Sequence, residues 1–186
     1  MGVKAGRLRN LGEANRANEL YRRGDEAWSK GHSRQAFRLF LEAATAGMEA
    51  AFGIVGNFYH NGIGVNANPD AAIYWYRLAY RTGSRSVANN IGCILRDRKK
   101  FGQATQWFRR AVQQKDGDAN LNIAKIYLDK GDLVKTRFYL DKTRRSPWAT
   151  EQSKEVARSL LRKMMSRKAD NPGTHRARKG RRDGPQ

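Results

Sequence analysis

Gly53-Ile54-Val55-Gly56-Asn57-Phe58-Tyr59-His60-Asn61-Gly62-Ile63-Gly64-Val65, followed closely by Asp70-Ala71-Ala72-Ile73-Tyr74-Trp75-Tyr76-Arg77-Leu78-Ala79, decides how the chain folds. In each half the apolar residues recur at spacings of three and four, which puts them on one helical face. Gly62-Ile63-Gly64-Val65 separates the halves as a Gly-rich turn. It lacks the lysine and the preceding strand of a phosphate-binding loop, so it reads as a connection. Asn68-Pro69-Asp70 opens the second helix: Asn can cap, Pro suits the first helical position, and Asp complements the dipole. The stretch is a helical hairpin.

The hairpin recurs along the chain. Gly24, Gly56, Gly92 and Ala124 are separated by steps of 32, 36 and 32 residues, the long step holding the Gly-rich insert. Downstream of each marker come Ala36, Ala72, Ala104 and Thr136, then Leu39-Phe40, Trp75-Tyr76, Trp107-Phe108 and Tyr139-Leu140, then Ala43, Ala79, Ala111 and Thr143. The small residues let two helices approach until a large side chain of one seats against the backbone of the other. No single hairpin can bury its apolar face alone, so the period predicts an all-α solenoid of four stacked hairpins. Such arrays present extended surfaces to partners.

The second copy resembles a Sel1-like unit, with a G-x-x-Y helix, a G-x-G-V turn and an A-x-x-W-Y-x-x-A helix. The other copies lack the insert and look more like plain tetratricopeptide units. The resemblance covers about residues 13–146. It implies a right-handed α/α superhelix used for protein binding, with no catalytic residues to carry over. Small Sel1-like proteins of bacteria serve as adaptors and as immunity proteins that block a toxin, which suggests both roles here.

In these families the first helix of each hairpin lines the concave face. That implies partner contacts from Arg22, Trp28, Asn57, Asn61, Asn90, Arg96, Asn122 and Lys125, with His60, Asn89, Cys93 and Asp97 near them. A ladder of Asn side chains offers donors and acceptors to an extended backbone whatever its sequence; an idle solvated face is the alternative. A carboxylate clamp of the tetratricopeptide kind would use Arg22, Asn57, Asn90 and Arg96, but Asp25 and Cys93 stand where Asn would help. Trp28 is either an exposed hot spot beside Arg22 or packed against Tyr21 or the next hairpin. His60 and Cys93 could face each other across hairpins, without a third residue to orient them. No catalytic group, metal site or cofactor is expected.

Domain organisation follows from composition. Residues 1–12 read as a flexible basic N-terminus and 13–146 as the repeats, with Ser33 expected to cap the second helix and a turn at 99–102. Residues 147–167 read as a C-terminal capping helix with apolar positions Trp148, Val156, Leu160, Leu161 and Met164. Residues 168–186 hold too little apolar surface to fold and read as a disordered basic tail. Trp75 and Trp107 are expected in the core.

The formal charge of +20 calls for an acidic partner. Residues 162–186 carry nine Lys or Arg against two Asp, and the rest carries 28 against 15, so the repeats are basic too. An acidic protein is one partner class; nucleic acid held through the basic tail is the other, although the tail has no aromatic residue for base stacking. The single cysteine, Cys93, rules out an internal disulfide. With no apolar run long enough to span a bilayer and no secretory pattern at the start, a cytoplasmic location is expected.

Overall fold

The computed structural model describes residues 11–84 and 86–169. Among these it forms helices and no strands: α1 (Leu11–Ser29), α2 (Ser33–Thr45), α3 (Glu49–Asn61), α4 (Pro69–Arg81), α5 (Val87–Asp97), α6 (Phe101–Gln113), α7 (Ala119–Asp129), α8 (Leu133–Arg145) and α9 (Glu151–Ala169). Consecutive helices pair as α1–α2, α3–α4, α5–α6 and α7–α8, each pair leans on the next, and α9 closes the array against α8. This is a right-handed α/α solenoid of four hairpins with a C-terminal capping helix.

The marker residues work as their size requires. A Cβ on Gly56 would lie 2.6 Å from the Tyr76 ring, and one on Gly92 would lie 2.5 Å from the Phe108 ring. At Gly24 the same atom would meet Phe40 at 3.0 Å. Phe40, Tyr76 and Phe108 are almost fully buried. The fourth hairpin solves the same problem with a different pair, since Ala124 and Leu140 are both buried in one cluster. A smaller knob there leaves room for the methyl group.

The Gly-rich insert has a use beyond turning the chain. Gly62 ends α3 in the left-handed conformation (φ 69°) and Gly64 is left-handed too (φ 65°). A side chain on Gly64 would collide with the backbone of Ser33 and Arg34. The insert therefore sits directly on the start of α2 and clasps the second hairpin to the first.

Several local expectations change. His32, not Ser33, holds the N-cap of α2, and no side chain caps it; Ser33 is already helical. Asn68 does cap α4, accepting from the Asp70 and Ala71 amides at 3.2 and 3.1 Å. Gly102 lies inside α6, and the left-handed position of that turn belongs to Lys99 (φ 58°). Trp75 is core, but Trp107 is only partly buried, with Tyr80 at its edge and Arg110 over its ring at 4.5 Å.

Both ends of the array also shift. Helix α1 starts at Leu11 rather than beyond residue 12, and residues 1–10 of the expected flexible segment lie outside those described. The last helix starts at Glu151, not at 147. Pro147 forces Ser146 into an extended conformation (ψ 128°), and the chain turns before it can coil. Thr150 then caps α9, its hydroxyl accepting from the Ser153 amide at 3.2 Å. The Thr150 amide donates to Asp118 at 2.8 Å, which ties this start to the start of α7. The helix runs on to Ala169, two residues into the expected tail; residues 170–186, with His175, lie outside those described.

The closing contact of α9 is also shifted by one residue. Ala157 is fully buried against Leu121, Ala124 and Leu140, flanked by Leu160, Leu161 and Met164, whereas Val156 and Trp148 are exposed. The outer side of α9 carries Lys154–Glu151, Arg158–Glu155 and Arg162–Glu155 pairs at 2.7, 3.1 and 2.9 Å, a solvated finish to a stack that would otherwise end apolar.

Candidate partner-binding face

Polar residues on the first helices of hairpins three and four meet directly. Asn122 of α7 donates through Nδ2 to Asn89 Oδ1 of α5 at 3.0 Å, and accepts at Oδ1 from an Arg96 nitrogen at 2.8 Å. Arg96 also holds Asp97 Oδ1 through Nε and Nη2 at 3.0 and 2.9 Å. Its side chain is 23% exposed against 61% for Asp97, so the guanidinium is partly sunk and its geometry is set by three acceptor contacts. The Cys93 sulfur lies beside the Asn122 amide at 3.8 Å. Lys125 stands close enough to act electrostatically on Cys93.

A second group of polar residues continues this seam onto α3. Asn61 donates to Asn57 Oδ1 at 2.7 Å, one turn back on the same helix. His60 Nδ1 lies 3.5 Å from the Tyr76 hydroxyl, with the two rings nearly perpendicular. The same hydroxyl reaches Asn90 of α5. Tyr76 thus does two things: its ring fills the space over Gly56, and its polar tip joins α3 to α5.

Burial tunes Tyr76, Cys93 and His60 toward their neutral forms. Burial pushes the Tyr76 phenol up to about 12 and raises the Cys93 thiol as well. Both stay protonated at neutral pH, so neither is an activated nucleophile. His60 is lowered by burial, with Asp97 pulling in the opposite direction. A histidine that binds protons less readily folded than unfolded loses stability as pH falls from about 6.5 toward its lowered value. The melting temperature is therefore expected to drop between pH 7.5 and 5.5, and His60→Gln, which keeps a hydrogen-bonding tip, to shrink that drop. An unchanged drop in the variant would remove His60 from the pH response.

The structure gathers Asn90, Arg96 and Asn122 in this seam, with Asn57 and Asn61 beside His60 on α3, and leaves two expected residues apart. Arg22 is exposed and engaged by Glu19 at 2.8 Å and by Glu26 on its own helix. Trp28 is 46% exposed, and its inner edge packs on Phe58 of the next hairpin at 5.3 Å; Tyr21 instead packs on Phe40. Arg22 thus pairs with carboxylates of its own helix rather than with Trp28. Sequence reasoning passed over Tyr76 as a polar participant. Its signal was present: at the equivalent position the other hairpins carry Phe40, Phe108 and Leu140, none with a hydroxyl.

Sel1 repeat models match residues 9–48, 54–84 and 91–116, just over half of the sequence. The chain belongs to the Sel1 repeat family. The matches reach the first and third hairpins, which lack the Gly-rich insert, while the hairpin of α7 and α8 lies beyond them. No curated protein matches the chain. Among solved structures, this Sel1 array is similar to c5321, a protective antigen of uropathogenic Escherichia coli strains with an SLR fold, at a TM-score of 0.65 and 20% identity over 84% of the chain. It is also similar to a Sel1 repeat protein from Oxalobacter formigenes, at 0.56 and 22% over 75%. At such identities the likeness is one of fold. The array spans 35% of the first protein's length and 62% of the second's. Sel1 repeats are in general non-catalytic scaffolds for protein interaction. Among the described residues no helix is long and apolar enough to cross a membrane.

Proposed function

We propose that this Sel1 array is a non-catalytic adaptor that captures an acidic protein segment along its concave face. The observation that supports this most is the Asn89–Asn122–Arg96–Asp97 network bridging α5 and α7. A group of side chains already held in place loses little freedom when a partner binds, so its hydrogen bonds count more fully toward affinity. Asn57, Asn61 and Asn90 extend the surface toward α3, Lys125 adds charge on α7, and Arg22 and the half-exposed Trp28 flank it on α1. The excess of positive charge speeds the approach of an acidic partner and orients it. An immunity protein that neutralises an acidic toxin domain is one form of the same activity.

The test is capture from a nuclease-treated native extract at moderate salt, comparing the intact chain, Arg96→Ala/Asn122→Ala, and a truncation after residue 167. One acidic protein should be recovered in stoichiometric amount with the intact and truncated chains. The double substitution should weaken it at least about tenfold, as loss of a central arginine contact does. Equal recovery with the double variant would remove the seam from the interface. Recovery of RNA or DNA alone, seen only without nuclease and lost steeply with salt, would support binding through the basic tail instead.

A further inference from the structure

On the far side of the array from the seam, α8 leaves apolar surface uncovered. It buries Thr136, Leu140 and Thr143, while Val134 is 82% exposed and Phe138 53%. Phe138 forms one wall of a groove of about 480 Å³ between the end of α6, the start of α7 and α8. The opposite wall is the Pro147-Trp148 turn, whose indole is 57% exposed. The turn is seated firmly, because Gly117 leaves no room for a side chain beneath Ser146 and Ala149.

The floor of the groove holds Asn120. This residue is only 7% exposed, and its side chain makes no hydrogen bond to any described residue. An amide on a groove floor that bonds no other side chain is open to a ligand's donor and acceptor. Around the mouth stand Lys115, Lys142 and Arg145. Two carboxylates also line the groove, but Asp141 is held by Arg144 at 3.0 Å and Asp116 Oδ1 accepts from the Asp118 and Ala119 amides, and neither forms an ion pair with these three cations. Instead Lys142 lies over the Phe138 ring at 4.8 Å and Lys115 over Trp148 at 5.8 Å.

We propose that this groove is a second docking site, separate from the concave seam, for a peptide segment with one aromatic anchor flanked by carboxylates. The anchor enters between Phe138 and Trp148, the backbone at the anchor bonds the Asn120 amide, and the flanking acids pair with Lys142, Arg145 and Lys115. The volume suits one large side chain with part of its backbone. Apolar walls alone would admit many occupants; unpaired cations on the rim select an acidic one.

The test uses the full chain and three short fluorescein-labelled peptides, followed by anisotropy. One peptide carries a tryptophan among glutamates, the second replaces the tryptophan with serine, and the third replaces the glutamates with lysines. The first should bind saturably and at least about tenfold more tightly than either control. Phe138→Ser/Lys142→Glu should abolish that preference, with folding checked by the thermal melt, since both positions are exposed. Asn120→Ala should weaken binding without altering the order of the peptides. Equal binding of the serine peptide would reduce the effect to bulk charge and overturn the proposal. So would wild-type binding by the double variant, or a concentration-dependent dimer that disappears in it, which would give the groove to a second copy.

Discussion

Gly92→Ala is expected to destabilise the array by about 1–3 kcal/mol, against the direction of helix propensity. In an open helix the change would gain about 1 kcal/mol, because alanine loses less backbone freedom than glycine. Here the added methyl group would stand 2.5 Å from the Phe108 ring, which is fully buried and packed on all sides. Either α5 moves off α6 or the ring leaves its rotamer, and both disturb the adjoining hairpins. Gly56→Ala should behave alike against Tyr76, while Gly24→Ala, with 3.0 Å to Phe40, should cost least. The fourth hairpin supplies the rescue, since it packs Ala124 with Leu140. Adding Phe108→Leu to Gly92→Ala should recover most of the loss, although Phe108→Leu alone leaves a void and costs stability. Each kcal/mol moves the melting temperature of a chain this size by about 2–4 °C, so the four proteins separate in thermal melts. If all three alanine variants melted higher than the parent, the close helix approach would be wrong.

That packing was legible before any coordinates because glycine is conspicuous. A Gly at a fixed place in a helix, followed at a fixed interval by an aromatic residue, has few explanations other than close contact. Capping was legible where the motif is compact, as at Asn68-Pro69-Asp70, and not where one residue decides it, as with Ser33 and His32. The seam was half legible. Repeat position identified Asn90, Arg96 and Asn122, with Asn89 and Asp97 near them, but Tyr76, which completes the network, reads from the sequence only as core. Arg22 and Trp28, chosen by the same rule, are engaged instead by Glu19 and Glu26 on α1 and by Phe58 on α3. A register rule indicates which way a residue points and does not know what else lies within reach. The groove beside α8 had no sequence signal, as its walls come from a helix face and a turn that only folding brings together.

Ala157→Glu is expected to cost more than about 3 kcal/mol, while Val156→Glu one residue earlier should change stability by no more than about 0.5 kcal/mol. The contrast follows from the register of α9. Periodicity favours Val156 as the buried residue, because valine is the stronger apolar signal. The structure instead buries Ala157 completely and leaves Val156 37% exposed. The small residue is needed because α9 crosses closely over Leu121, Ala124 and Leu140, with Leu160, Leu161 and Met164 covering the remainder. A carboxylate at 157 would be forced among these apolar side chains. The least costly response is for α9 to leave the array, exposing Leu140 and Leu121. The loss should therefore appear first as local opening: a low-temperature transition ahead of the main one, and protease cleavage between residues 145 and 151. A repeat array tolerates such fraying because each unit is held chiefly by its neighbours. The groove depends on the same segment, since Trp148 is positioned by the turn that leads into α9. Undocking α9 should thus abolish capture of the tryptophan–glutamate peptide and leave Asn89, Arg96 and Asn122 in place. A variant that loses one binding activity and keeps the other would show that the two surfaces of this small solenoid act independently.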